Sequence, residues 1–455
     1  MFKSFYCVLK VCVGVFLMGF KVLDYKKEIP KVTFAAAIGT TIDYYDYFIA
    51  LLVASIAWPT VFYPSVSLDV GLALSISSAA VTLIFRPIGA FIFGHLGDRF
   101  GRKKMLMWTL STMGISTLGI ALIPSYAAIG ILAPIMVILF RILFGIGAGG
   151  EYGGAIAWTS EFVSKSKNRA FWTSWVQIST AIGLVISSAV VFLLFISAPS
   201  SGKAAFINNG WRIPFFFGAV LILIGVTIRY FLNESPLFKK LGSKKVDRTP
   251  ALTILKSNWR LILTLALAPE FAASVISLEA VPFSETYLSH IVLNGGIAFA
   301  TVSVILGGLF AILTAIAGAL ISDKFGRKKT LYLSAILTMI FAYPYFMLLN
   351  TGNYALIILA QLLLIGSIFI AAGVIPILLA EQFITKYRYS GVGLSNQFGG
   401  VLAGVLTTFV LPAIIISSGT LTAAWPKIAM VSIGVCLLSI IFISFIQETK
   451  GKKME

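Results

Sequence analysis

The chain has 455 residues, 58% of them hydrophobic and only 11% charged, with a formal net charge of +18. A soluble domain carries about 25% charged residues, so that class is excluded, and recurrent long apolar stretches place the chain among polytopic helical membrane proteins. The positive charge falls in short segments between those stretches, which makes it topological rather than a nucleic-acid footprint.

In chain order, residues 1–31 come first as an N-terminal cytoplasmic or interfacial segment. Its "VCVGVFLMGF" has the length of a signal-peptide core, but "KVLDYKKEIP" follows where a small-residue cleavage site belongs. An interfacial helix or an extension upstream of a start at Met18 fits it better. A bilayer core about 30 Å thick needs about 20 helical residues. By that ruler twelve spans follow, at 32–57, 70–94, 105–123, 130–158, 171–198, 211–232, 261–288, 297–321, 330–349, 354–379, 391–416 and 425–446. The connections alternate in charge. One side carries Arg99, Arg102, Lys103 and Lys104, then Lys165, Lys167 and Arg169, a basic linker at 233–260, Lys324 to Lys329, and Lys386 with Arg388. The other offers only Lys203 and Lys427. The positive-inside rule makes the rich side cytoplasmic, with both termini and the 447–455 tail on it.

"GHLGDRFGRKK" at 94–104 returns as "ISDKFGRKK" at 321–329. "SEFVSKSKNR", after span 4, is echoed by "AEQFITKYR" after span 10. Topogenic charge explains the lysines, but not the matched Asp, Gly, Glu and Arg positions. The chain therefore divides into two halves, 32–232 and 261–446. The fold class is all-α and polytopic, with twelve transmembrane helices in two pseudo-symmetric six-helix bundles around a central cavity.

The repeated phrase, with "IGTTIDYYDYFIA" (38–50), "GIGAGGEYGGA" (145–155), "WRIPF" (211–215) and "ESPLF" (234–238), resembles the major facilitator superfamily and, within it, the metabolite:proton symporters. The likeness covers nearly the whole chain. It departs where the family commonly has Glu-Trp-Tyr-Asp-Phe and this chain has Asp43, Tyr44, Tyr45, Asp46 and Tyr47. The resemblance implies that the loop phrase latches the halves on the cytoplasmic side. The gate residues would be Asp98, Arg99, Arg102, Glu161, Arg169, Asp323, Arg327, Glu381 and Arg388. Gly97 and Gly101 suit tight turns, and Asp98 suits a helix cap or a pair with Arg102.

Ionisable residues inside spans are costly and are functional candidates. Asp43 and Asp46, at i,i+3, share a helix face near the midplane of span 1. Two carboxylates that close, away from water, are poorly placed to be ionised together, so one is fitted to hold a proton. Glu270, beside Pro269, and Glu151 are further proton-coupling candidates. Arg86 and Arg141 suit bidentate binding of a carboxylate substrate, with Tyr44, Tyr47, Gln177 and Asn396 as other substrate-binding candidates. Arg141 and Glu151 are ten residues apart, about 1000° of helix, so they face different neighbours. Gly145, Gly149, Gly150, Gly153 and Gly154 form close-packing faces.

No Gly-Lys-Ser/Thr phosphate cradle appears, and Cys7, Cys12, Cys436, His95 and His290 make neither a metal site nor a disulfide framework. The expectation is a non-enzymatic, cofactor-free and metal-free monomer in the plasma membrane. It moves a small polar metabolite, an organic acid or a zwitterion, by alternating access with proton symport. The alternatives are a proton-coupled drug exporter or sugar porter and, from another class, a transport-inactive membrane sensor.

Overall fold

The computed structural model describes residues 25–196, 206–241, 247–278, 280, 284–288, 292, 297–418 and 421–454. Residues 1–24, Lys203, Lys244, Lys245, Glu279 and His290 lie outside the described residues. The described residues form twelve spanning helices, α1 Tyr25–Ile56, α2 Leu68–Phe100, α3 Arg102–Leu122, α4 Leu132–Phe162, α5 Arg169–Ile196, α6 Ile213–Tyr230, then α7 to α12. α7 opens at Pro250–Leu265, passes a π turn at Ala266–Glu270 and continues as Phe271–Leu278. α8 is Ile297–Phe325 and α9 Arg327–Leu349; α10 is Tyr354–Ala372, extended by Ile375–Gln382. α11 is Arg388–Val405, with a π turn at Leu406–Val410 and a last segment Leu411–Ser418, and α12 is Leu421–Phe445. Among the described residues, 10 helices are long and apolar enough to cross a bilayer unaided. The other two are α1, with Asp43 and Asp46 at mid-span, and α11.

Several boundaries differ from the sequence expectation: α1 already begins at Tyr25, not 32, and α4 runs to Phe162, not 158. α2 does not end at 94. It runs to Phe100 and turns only at Gly101, whose φ of 113° favours glycine. Gly326, at φ 112°, repeats the turn between α8 and α9. Asp98 and Asp323 therefore sit on the last turns of helices rather than in loops, and Gly97 is helical. α7 begins at Pro250, not 261, because the polar stretch around Lys256 and Ser257 is helical too. It bends where Asn258 leaves helical geometry, at φ −128° and ψ 24°.

α1 to α6 pack as one bundle and α7 to α12 as the other. The seams between them are α2 on α11 and α5 on α8. Glycines set the closeness of α2 to α4. A Cβ on Gly149 would strike the Arg86 carbonyl oxygen, and one on Gly145 the Thr82 carbonyl oxygen. This close packing places Arg86 deep in the molecule. The far end of the first bundle closes on an aromatic cluster in which Trp58 stacks on Phe215 at 6.3 Å and Phe62 meets Trp211 edge-on at 5.4 Å.

Candidate functional site

Two sites converge on the seam between the bundles, one at mid-depth and one at the basic face.

At mid-depth, Arg86 of α2 donates through Nη2 to Asp43 Oδ1 of α1 at 2.7 Å. Its guanidinium lies 5.6 Å from the Tyr44 ring centroid and 5.7 Å from that of Tyr47. Asp43 Oδ2 and Arg86 Nε have no hydrogen-bond partner among the described residues. Glu270 closes the π turn of α7, buried, with Gly399 of α11 packed against its side chain. Ser274 reaches one Glu270 oxygen at 3.5 Å, and Oε2 has no partner among the described residues. Asn396 of α11 lies beside Glu270. The field of Glu270 reaches Tyr44 and Tyr152, which belong to the other bundle. The Tyr152 hydroxyl donates to the Gln177 side-chain carbonyl. The structure thus gathers Asp43, Arg86, Tyr44, Tyr47, Gln177, Glu270 and Asn396 around one seam. Asp43 and Arg86 neutralise each other, whereas Glu270 forms no ion pair among the described residues.

The remaining intramembrane charges lie elsewhere. Asp46 pairs with Arg141 of α4 at 2.8 Å and accepts from the Thr117 hydroxyl at 2.6 Å. Arg141 lies between the rings of Phe144 and Phe215, 4.9 and 5.9 Å away, inside the first bundle. Asp43 and Asp46 are therefore each answered by a different arginine. Glu151 is clasped through both oxygens by Arg229 of α6, and its Oε2 also accepts from Thr109 at 2.7 Å. Arg229 was missed in the sequence because it closes a span instead of sitting at mid-depth.

At the basic face, the duplication is realised atom by atom. Arg102 donates to Glu161 at 3.1 and 3.3 Å, and Arg327 to Glu381 at 3.1 and 3.2 Å. Arg388 crosses to Glu161 at 3.1 Å, and Arg169 crosses to Glu381 at 3.2 Å. Asp98 accepts the first free N–H groups of α11, from Tyr389 at 3.1 Å and Ser390 at 2.9 Å. Asp323 accepts those of α5, from Ala170 at 3.0 Å and Phe171 at 3.1 Å. Each carboxylate caps a helix start in the opposite bundle, where the dipole favours negative charge. Each also pairs with the arginine of its own turn, Arg102 at 3.3 Å and Arg327 at 3.0 Å. Arg99 stands apart, exposed over the Phe100 ring at 5.0 Å.

Sequence reading missed a third layer. Glu234 accepts the backbone N–H groups of Arg102 and Lys103, while Ser235 donates to Glu161. Glu448 likewise accepts those of Arg327 and Lys328, at 3.0 Å each, while Thr449 donates to Glu381 at 2.7 Å. The signal was present. Glu-Ser after span 6 and Glu-Thr after span 12 form another echo of the repeat. Outside the spans, burial holds the Glu234 carboxyl above its ordinary value. For Glu448, burial pushes up, but N–H donors from Arg327, Lys450, Lys328 and Thr449 outweigh it and hold the carboxyl low.

The family model for the Major Facilitator Superfamily matches residues 37–408. The chain belongs to that superfamily. Its relatives include the inner membrane metabolite transport protein YhjE of Escherichia coli K12, 33% identical over 84% of this chain and 86% of the relative. The shikimate transporter of the same organism is 31% identical over 88% and 90%. The glycine betaine/proline/ectoine/pipecolic acid transporter OusA of Dickeya dadantii 3937 is 33% identical over 83% and 76%. In fold, the chain is similar to the proton:xylose symporter XylE bound to 6-bromo-6-deoxy-D-glucose, with a TM-score of 0.75 over 94% of this chain and 98% of that one, at 19% identity. This superfamily member is thus a multi-pass membrane protein built like known transporters.

Proposed function

We propose that this protein carries a small polar metabolite, an organic acid or a zwitterion, across the plasma membrane by alternating access with proton symport. The observation that carries the reading is a polar cluster at mid-depth on the bundle seam, lying behind a closed, duplicated ionic gate. The bonds from Arg388 to Glu161, from Arg169 to Glu381, from α11 to Asp98 and from α5 to Asp323 run between bundles, so they can break and re-form as the bundles rock, without unfolding either one. The basic face is the cytoplasmic one, with both termini on it, a placement that the loop charges support. The protein acts as a monomer.

Within this reading, a proton arriving at the free Asp43 Oδ2 neutralises the carboxylate and weakens its hold on Arg86. The guanidinium, steadied by Tyr44 and Tyr47, is then available to a substrate carboxylate. Glu270 and Asn396 face the substrate from the other bundle. Substrate and proton are thus drawn to one place, and neither is held well without the other.

The test is uptake into proteoliposomes of purified protein with an imposed pH gradient, screened over organic acids, amino acids and betaines. Accumulation that follows an inward proton gradient and collapses with a protonophore is expected for at least one of them. Facilitated equilibration with no response to the gradient would remove the symport claim.

A further inference from the structure

Tyr389 lies at the start of α11, yet its ring is buried in the other bundle. A Cβ on Gly97 of α2 would strike the near edge of the ring, and one on Gly154 of α4 would strike its far end. Leu106 of α3 lies 2.8 Å from that same Gly154 position and closes the hole. The backbones meet closely beside it, since a Cβ on Gly153 would fall 2.7 Å from Gly393 Cα and one on Gly94 2.8 Å from Ser390 Cα. The Tyr389 hydroxyl has no hydrogen-bond partner among the described residues. The ring is therefore held by shape.

The duplicated gate supplies an internal comparison. Asp98 corresponds to Asp323, Glu161 to Glu381 and Arg388 to Arg169. In that register Gly97, Gly154 and Tyr389 correspond to Ser322, Val374 and Ala170. Where the network around Glu161 has two glycines and a tyrosine, the one around Glu381 has two side chains and an alanine. Ala170 packs in a small cluster with Ala319 and Ile377, with Met454 against it. The ionic parts of the gate are symmetric, and its bulk is not.

We infer that Tyr389 is a gate plug: a positioning residue whose ring, seated in the hole of Gly97 and Gly154, sets how strongly the cytoplasmic side stays closed. The inference rests on the alternating-access reading. Inward opening must draw the ring out of its hole, and no comparable extraction occurs on the Ala170 side. This also gives Gly97 and Gly154 a role beyond helix packing, since each makes room for a group of the other bundle.

The experiment measures the width of the gate. In full-length protein with Cys7, Cys12 and Cys436 replaced by serine, spin labels are placed at the exposed pair Lys104→Cys and Lys329→Cys, one per bundle. Distances are read in lipid vesicles. Tyr389→Phe should keep the short distance, because the hydroxyl is unpartnered. Tyr389→Ala should raise the long-distance population at least tenfold, and Gly154→Ala should do the same by filling the seat. The double variant should resemble either single one, since both act through one contact. Ala170→Gly should leave the distribution unchanged. A folded Tyr389→Ala protein with the reference distribution would overturn the inference, as would additive effects in the double variant. Gly154→Ala carries the test should Tyr389→Ala melt early. Failure of the alternating-access reading registers differently: the reference distance would then stay fixed under every pH and candidate substrate, even if Tyr389→Ala lengthens it.

Discussion

Replacing Asp98 by Asn should bias the transporter towards the inward-open state without unfolding it. In the closed state the Asp98 carboxylate accepts N–H groups of Tyr389 and Ser390 at 3.1 and 2.9 Å, both across the seam. A hydrogen bond to a charged group contributes about 1.5–3 kcal/mol. Asn keeps one acceptor, turns a donor towards the second N–H and loses the charge at the start of α11. The closed state then weakens by about 2–3 kcal/mol relative to the open one, a shift of roughly 30- to 150-fold at 1.36 kcal/mol per tenfold. The partner Arg102 keeps Glu161 and the Gly97 carbonyl, at 3.0 Å, so the first bundle is not left with an uncompensated charge. Abundance and the melting temperature in detergent should stay near wild type, while uptake falls at least tenfold. Asp323→Asn should behave alike, because Asp323 makes the equivalent bonds to α5. Wild-type uptake by Asp98→Asn would refute the reasoning. So would an early collapse of melting, which would make the residue a folding element instead of a latch.

Three other outcomes are expected. Asp43→Asn should abolish accumulation driven by a proton gradient while substrate counterflow survives; unimpaired accumulation would move the coupling site to Glu270. Impermeant thiol reagent added outside cells should label Ala128→Cys but not Lys240→Cys, in a background without native cysteines, and the reverse pattern would invert the topology. Glu448, with its folded pKa depressed, adds stability that is fully present above its unfolded value and is lost as pH falls through the folded one. Melting temperature should therefore drop as the pH falls below about 4.3, the ordinary glutamate value, and Glu448→Gln should remove that part of the drop. Glu234, raised by burial, works in the opposite direction. Its charged form is the one disfavoured by folding, so Glu234→Gln should cost less than Glu448→Gln at neutral pH.

Much of this architecture is written locally in the chain. The length of each apolar stretch is matched to the bilayer, and that match needs no tertiary contact to be read. The charge of the short loops and the repeat of Asp98, Arg102 and Glu161 as Asp323, Arg327 and Glu381 are likewise sequence facts. They exposed two equivalent halves and most members of the ionic network at the basic face. Partner choice was not legible. Asp43 and Asp46 share a helix face, yet one meets Arg86 and the other Arg141, because neighbouring helices approach that face from different sides. Glu151 and Arg229 are 78 positions apart and meet only because α4 and α6 pack around α3. Gly97 looked like a turn residue and is a seat for Tyr389, a role that exists only once α11 is laid against α2 and α4. Span number, halves and charge follow from properties of single segments in a bilayer. Pairing follows from how each helix is rotated and how closely it approaches its neighbours, and only the assembled bundles determine that.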